Sequence, residues 1–159
     1  MESKQLIEQF YSSFQALNSE GMNACYHDSI VFHDPAFGEL KGEDAKAMWS
    51  MLCSSAQDFR MEYSQIEVAE DGKTGKAHWE AWYTFSQTGR KVHNIIDASF
   101  ELQDGLIIRH TDVFNVKKWS VQALGFTGRL MGGTKFFQKK LQARTRSLLE
   151  KYKSRSETS

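Results

Sequence analysis

The chain has little of what staples or interrupts a fold. Its 159 residues hold two cysteines and a single proline, Pro35. Cys25 and Cys53 are far apart, lack C-x-x-C spacing and sit in helix-like apolar surroundings, so they read as buried free thiols and not as a disulfide, metal site or nucleophile. No apolar run approaches the roughly 18 residues needed to span a bilayer. The N-terminus mixes Glu2, Lys4 and Glu8 with no signal-peptide core, so a cytoplasmic protein is expected. The G-x-S-x-G, P-loop, dinucleotide and H-E-x-x-H signatures are all missing. The string "GRLMGG" lacks a preceding strand and the spacing of a phosphate loop. No cofactor and no metal are therefore expected.

Aromatic residues are what the chain has in abundance: 11 Phe, 5 Tyr and 4 Trp. At this length they can fill the core of one ordinary domain. The net charge is zero but unevenly spread. Residues 1–116 carry 9 basic against 18 acidic residues, and residues 117–159 carry 11 against 2. A basic tail can serve nucleic acid or anionic lipid. Here the bases fall at helical spacing with no nucleic-acid motif, so packing against the acidic body or simple solvation is expected. Neither nucleic acid nor membrane is an expected partner, although the basic helix leaves a weak opening for one.

Leu6, Ile7, Phe10, Phe14 and Leu17 recur at helical spacing and predict a helix over 3–18, with Tyr11 beside them. "MNACYH" reads as a short helical piece and "SIVFHD" as a strand stopped by Pro35. "AFGELKG" reads as a loop, and "EDAKAMWSMLCSSA" as a helix with acids in its first turn. Four strand-like runs follow, over 59–70, 73–87, 90–103 and 106–116, broken at Asp71-Gly72, Thr88-Gly89 and Asp104-Gly105. Such tight joins predict an antiparallel meander. Helix returns in "KKWSVQALG" and, past Gly132-Gly133, in a basic helix to about 152. The expected organisation is an α+β body over 1–116, a helical extension packed on it over 117–152, and a disordered tail over 153–159. A curved sheet covered by helices would form a cone with a pocket on its concave side.

Alternation along the strands sorts the polar residues by face. His78, Glu80 and Trp82 share one face of their strand, opposite Ala77, Trp79 and Ala81. His93, Ile95 and Asp97 share one face of the next. Leu106, Ile108, His110, Asp112 and Phe114 form a mostly apolar face on the last. A carboxylate in an apolar stripe is paired, hydrogen-bonded or functional. The alternative for each acid is a structural role, satisfied by backbone amides or a nearby histidine. Asp34, with His33 before it, is either a proton-transfer group at a cavity lip or a turn residue.

The strings "FYSSFQALNSEGMNACYHDSIVFHDPAFGELKGEDAKAMW" and "GRKVHNIIDASFELQDGLIIRHTDVFN" resemble the NTF2-like superfamily in its SnoaL-like branch, over roughly residues 3–116. The resemblance implies an NTF2-like (cystatin-like) α+β cone, a curved mostly antiparallel sheet wrapped around N-terminal helices. It also implies a homodimer, a small hydrophobic ligand, and relatives that include ketosteroid isomerases, limonene-epoxide-type hydrolases and polyketide cyclases. Asp34-Pro35 matches the isomerase base. The isomerase tyrosine position falls on Ser13, and its protonated aspartate position on Ala98, one place from Asp97. Asp97 and Asp112 match the two acids of the epoxide hydrolases, whose arginine position is Ile95 here; His93 and His110 would be substitute donors. Asp112 also matches the single cavity acid of the cyclases.

The expected activity is cofactor-independent acid/base chemistry of isomerase, hydrolase or cyclase type. Asp112 and Asp97 are the first choice for acid and base, then Asp34 or His33, with His110 beside them. Trp49, Trp82, Phe114, Tyr11, Phe37 and His93 are the expected pocket liners. The alternative is a non-catalytic ligand-binding or dimerisation module.

Overall fold

A computed structural model describes residues 2–158. Helix α1 (Ser3–Gln15) presents Leu6, Ile7, Phe10, Tyr11 and Phe14 to the core. It stops short of 18 because Leu17 turns left-handed, and the Asn18 side chain accepts the Gly21 N–H to start α2 (Ser19–Asn23). Strand β1 (Tyr26–Asp34) therefore starts earlier than its apolar run suggests. The expected loop after Pro35 contains a short strand, β2 (Gly38–Lys41), hydrogen-bonded back onto β1 from Val31–Lys41 to Asp34–Gly38. Helix α3 (Glu43–Ser55) follows, burying Ala45, Met48, Trp49 and Cys53.

Strands β3 (Arg60–Val68), β4 (Thr74–Phe85), β5 (Arg90–Gln103) and β6 (Leu106–Val113) form the expected antiparallel meander. The six strands make one curved, open sheet in the order β2-β1-β6-β5-β4-β3, in which only the β1–β6 pair is parallel. The fold is thus the α+β cone that the sequence pattern implies. Helices α1 and α3 fill its concave side, and their rings interleave with Phe32, Trp79 and Phe100 of the sheet.

Three helices complete the chain: α4 (Val116–Leu124), α5 (Phe126–Met131) and α6 (Lys135–Thr158). Trp119 and Ala123 of α4 pack on Val92 of β5. Helix α6 runs on where a disordered tail is expected from residue 153; Ser159 lies outside the described residues. It crosses the β1–β2 turn and is held there by backbone acceptors. Gln142 donates to the Pro35 carbonyl at 3.1 Å, Thr145 to Ala36 at 2.8 Å, and Arg146 to Phe37 and Glu39 at 3.1 and 3.0 Å. Lys153 reaches Asp44 at the start of α3, at 2.5 Å. No helix of the described residues is long and apolar enough to cross a membrane.

Candidate functional site in the cone interior

The phase of β6 decides which polar groups face inward. Leu102 pairs with Ile107 and Glu101 with Arg109, so Ile108 is an extra residue, a β-bulge. Ile107, and not Leu106 or Ile108, is consequently the buried residue at the strand's start. Beyond the bulge the alternation resumes with His110 and Asp112 inward, both buried. On β1, Tyr26, Ile30 and Phe32 point the same way, Asp34 follows in their phase, and His33 points out to solvent.

A continuous polar chain runs through this interior. Trp49 Nε1 lies 2.9 Å from the Tyr26 hydroxyl, which lies 2.7 Å from His110 Nδ1. His110 Nε2 lies 2.9 Å from Asp112 Oδ1, to which Trp79 Nε1 makes a longer contact of 3.4 Å. Trp49 can only donate. A neutral His110 protonated on Nε2 then lets each group donate to the next and end on an ionised Asp112, an assignment made from the donor inventory. Rings of Phe100, Phe32, Phe10 and Trp49 surround the imidazole at centroid distances of 4.5, 5.2, 5.4 and 6.1 Å. Burial first, and then the Asp112 charge against the opposing hydrogen bond from Trp49, holds the Tyr26 hydroxyl well above the ordinary phenol range.

Tyr11 is the unsatisfied member. Its ring is fully buried and stacks on Tyr63 at 5.4 Å, yet among the described residues its hydroxyl has no hydrogen-bond partner. Burial, followed by the Asp112 and Tyr26 charges, pushes its ionisation upward, so the hydroxyl stays protonated. Such an orphaned donor costs about 1–3 kcal/mol.

Asp34 closes a turn, one of the two readings open to it. Its Oδ1 accepts the N–H groups of Ala36 at 2.9 Å and Phe37 at 2.6 Å, closing the turn between β1 and β2. Burial raises its pKa from 3.8 to about 7, aided by the Asp112 charge and opposed by those two amides. Two carboxyl groups thus feel each other across the interior.

Several expected site residues are elsewhere. Ala98 lies directly opposite Asp112, so Asp97 belongs to the other face of β5 and is exposed. On that outer face His78 bridges Asp97 and Glu80 at 2.9 and 3.0 Å, and His93 meets Glu80 at 2.8 Å. The Asp97 and Glu80 hydrogen bonds raise the His78 pKa; the His78 and His93 hydrogen bonds lower that of Glu80. Trp82 stacks on His93 at 4.5 Å beneath Arg60, so neither residue lines the interior. Ile95 shares this outer face, so an arginine there would not reach Asp112. Trp49, Tyr11 and Phe37, expected as pocket liners, are buried in the packed interior, and Phe114 is half-buried against it. Among the described residues no group of three or more His, Cys, Asp or Glu converges to hold a metal ion.

Two interior residues of this polar chain are not among the expected site residues. Tyr26 stands before the apparent strand, although its even spacing from Ile30 and Phe32 marks its face. Trp79 is placed on the inner face by alternation, and small Ala77 and Ala81 beside it leave its indole room to reach Asp112.

Residues 7–110, well over half of the chain, match the family model of the SnoaL-like domain. No curated protein matches the chain. Among solved structures it is similar to a candidate polyketide cyclase from Xanthomonas campestris pv. campestris (18% identity, TM-score 0.64, 76% of this chain and 95% of that one). It is also similar to an LEH-like epoxide hydrolase of M. tuberculosis (18%, 0.62, 82% and 90%). A Catenulispora acidiphila protein with a ketosteroid isomerase-like fold, crystallised with trimethylamine, aligns at 9% identity and TM-score 0.64 over 74% and 91%. At these identities the likeness carries the fold alone.

Proposed function

The chain belongs to the SnoaL-like domain family, and from that premise we propose that its cone interior binds a small hydrophobic, oxygen-bearing molecule and performs cofactor-independent acid/base chemistry on it. The observation that carries this reading is the orphaned Tyr11 hydroxyl in the same interior as the His110–Asp112 pair, near enough to feel the Asp112 charge. A ligand oxygen would supply the acceptor that Tyr11 lacks, and charge developing on that oxygen would strengthen the bond. Asp112, oriented by His110, is the base for a C–H next to a carbonyl or for a water attacking an epoxide. Asp34, with a pKa of about 7, is suited to return the proton at neutral pH.

The test is a panel of enones, epoxides and polyketide-like substrates offered to the wild type and to Asp112→Asn, Asp34→Asn and Tyr11→Phe. Turnover that falls at least about a hundredfold in Asp112→Asn and about tenfold or more in Tyr11→Phe supports the reading. Equal turnover in wild type and Asp112→Asn ends it.

A second reading is favoured by the rings that fill the interior and by Ile95 and Val113, which are exposed on the outer sheet face. In it the His110–Asp112 chain is structural and the outer face joins two copies. An Asp112→Asn variant that loses stability, in a chain that binds no panel compound, would favour this reading.

A further inference from the structure

One surface bears on neither the interior nor the sheet. Phe126, Leu130 and Phe136 are 74%, 66% and 58% exposed, and Met131 is exposed beside them. Single exposed apolar residues are ordinary on a soluble surface, but here four fall within eleven residues. Phe126 and Leu130 are one turn apart on α5. The Thr134 N–H, bonded to the Met131 carbonyl at 3.0 Å, folds the chain tightly into α6, where Phe136 lies in the first turn. The opposite side of this hairpin is the anchored one. Lys117 donates to the last carbonyls of α5, at Gly128 and Arg129, and a Cβ on Gly128 would overlap the Ser120 carbonyl. The apolar tip is thus held outward by a close backbone fit of α4 on α5.

The tip is framed by positive charge. From Val113 to Leu149 the chain has no Asp or Glu. Arg129, Lys135 and Lys139 make no ion pair among the described residues, and Lys140 lies 4.7 Å from the centroid of the Phe136 ring. These bases are thus solvated, one of the two expectations for the basic tail, while Lys153, at the far end of α6, pairs with Asp44 of the acidic body.

We propose that α5, the 132–134 turn and the first turns of α6 form a docking surface for an anionic lipid bilayer, with Phe126, Leu130 and Phe136 in the headgroup–acyl boundary and the flanking lysines over the headgroups. Apolar insertion and a basic patch are the two signals that reversible membrane attachment requires together. A second copy of the same surface is disfavoured, because it would set one acid-free patch against another. Nucleic acid is disfavoured because this framing is mostly lysine, and its tip adds aliphatic Leu130 and Met131, which offer bases neither stacking nor hydrogen bonds. The docking site shares no residue with the interior acids, so it stands or falls independently of the acid/base reading.

The experiment is co-sedimentation of the full chain with vesicles of phosphatidylcholine alone and of equal parts phosphatidylcholine and phosphatidylserine. The expected result is binding to the anionic vesicles only. Binding should weaken about a hundredfold in Lys135→Ala/Lys139→Ala/Lys140→Ala, and about tenfold or more in Phe126→Ser/Leu130→Ser/Phe136→Ser. Circular dichroism should be unchanged in both variants, since all six side chains are exposed. Three results would overturn the proposal. One is no binding to anionic vesicles at low salt. Another is binding that survives the apolar triple substitution unchanged. The third is a chain that ignores vesicles but whose dimer, by size exclusion, dissociates when the apolar tip is replaced.

Discussion

At the scale of single residues, the interior sets two titratable groups against their ordinary behaviour. The unfolded Asp34 carboxyl loses its proton near 3.8, while the folded one keeps it to about 7. The folded state thus binds the proton more tightly, and this group's contribution to stability is lost as pH rises between those values. Asp34→Asn keeps an oxygen for the Ala36 and Phe37 amides but removes the charge. Its thermal midpoint is expected to exceed that of the wild type above pH 7, and to depend less on pH below it, by scanning calorimetry across that window. Tyr11→Phe carries a prediction of opposite sign to most core substitutions. Removing an unsatisfied hydroxyl should leave stability unchanged or raise it by about 1 kcal/mol, read from urea unfolding, while ligand turnover falls. A loss of more than about 1 kcal/mol would mean the hydroxyl has a partner after all.

At the scale of elements, α6 acts as a strap, and Gln142, Thr145 and Arg146 tie it to backbone carbonyls of the β1–β2 turn and β2. Arg146 holds two of them, at Phe37 and Glu39. Arg146→Ala is expected to cost about 1 kcal/mol and to speed amide exchange in residues 35–39 and in the facing turns of α6. Unchanged exchange in that turn would show that Gln142 and Thr145 suffice. Elements also show what could be read in advance. The faces of β4 and β5 were legible because unbroken alternation over twelve and fourteen residues leaves one way to bury Trp79, Ile96 and Phe100. That same alternation places Asp97 opposite Phe100's face, but the family motif suggested otherwise and the residue-level pattern was the better guide. Strand β2 was illegible because four residues beside two glycines carry no period; it forms only because β1 offers an edge. The basic tail was legible as a helix, whereas its carbonyl partners in the turn are more than a hundred residues away in sequence.

At the scale of the whole molecule, the sheet presents one filled face and one bare face. Ile95 and Val113 stand exposed on the bare face, close to the ionic cluster of His78, Glu80, His93 and Asp97. If this face joins two copies, Ile95→Arg/Val113→Arg should convert a dimer to a monomer in sedimentation equilibrium at unchanged secondary structure. Because the hydrogen bonds to Asp97 and Glu80 raise the His78 pKa, the dimer would also weaken as pH rises through the titration of that imidazole. A wild-type chain that sediments as a monomer at every concentration would remove the homodimer from consideration.

The extra residue at Ile108 has an evolutionary reach. The bulge absorbs it, so β6 keeps its pairing with β5 on both sides, Leu102 with Ile107 before it and Glu101 with Arg109 after it. Deleting Ile108 would leave a regular strand in which His110 and Asp112 still face inward. Keeping Ile108 but closing the bulge into plain alternation from Ile107 would instead turn His110 and Asp112 outward and bring Arg109, Thr111 and Val113 in. A lineage could thus gain or lose one codon at this point without disturbing the buried imidazole–carboxylate pair, and relatives that differ there by one residue would share the same interior.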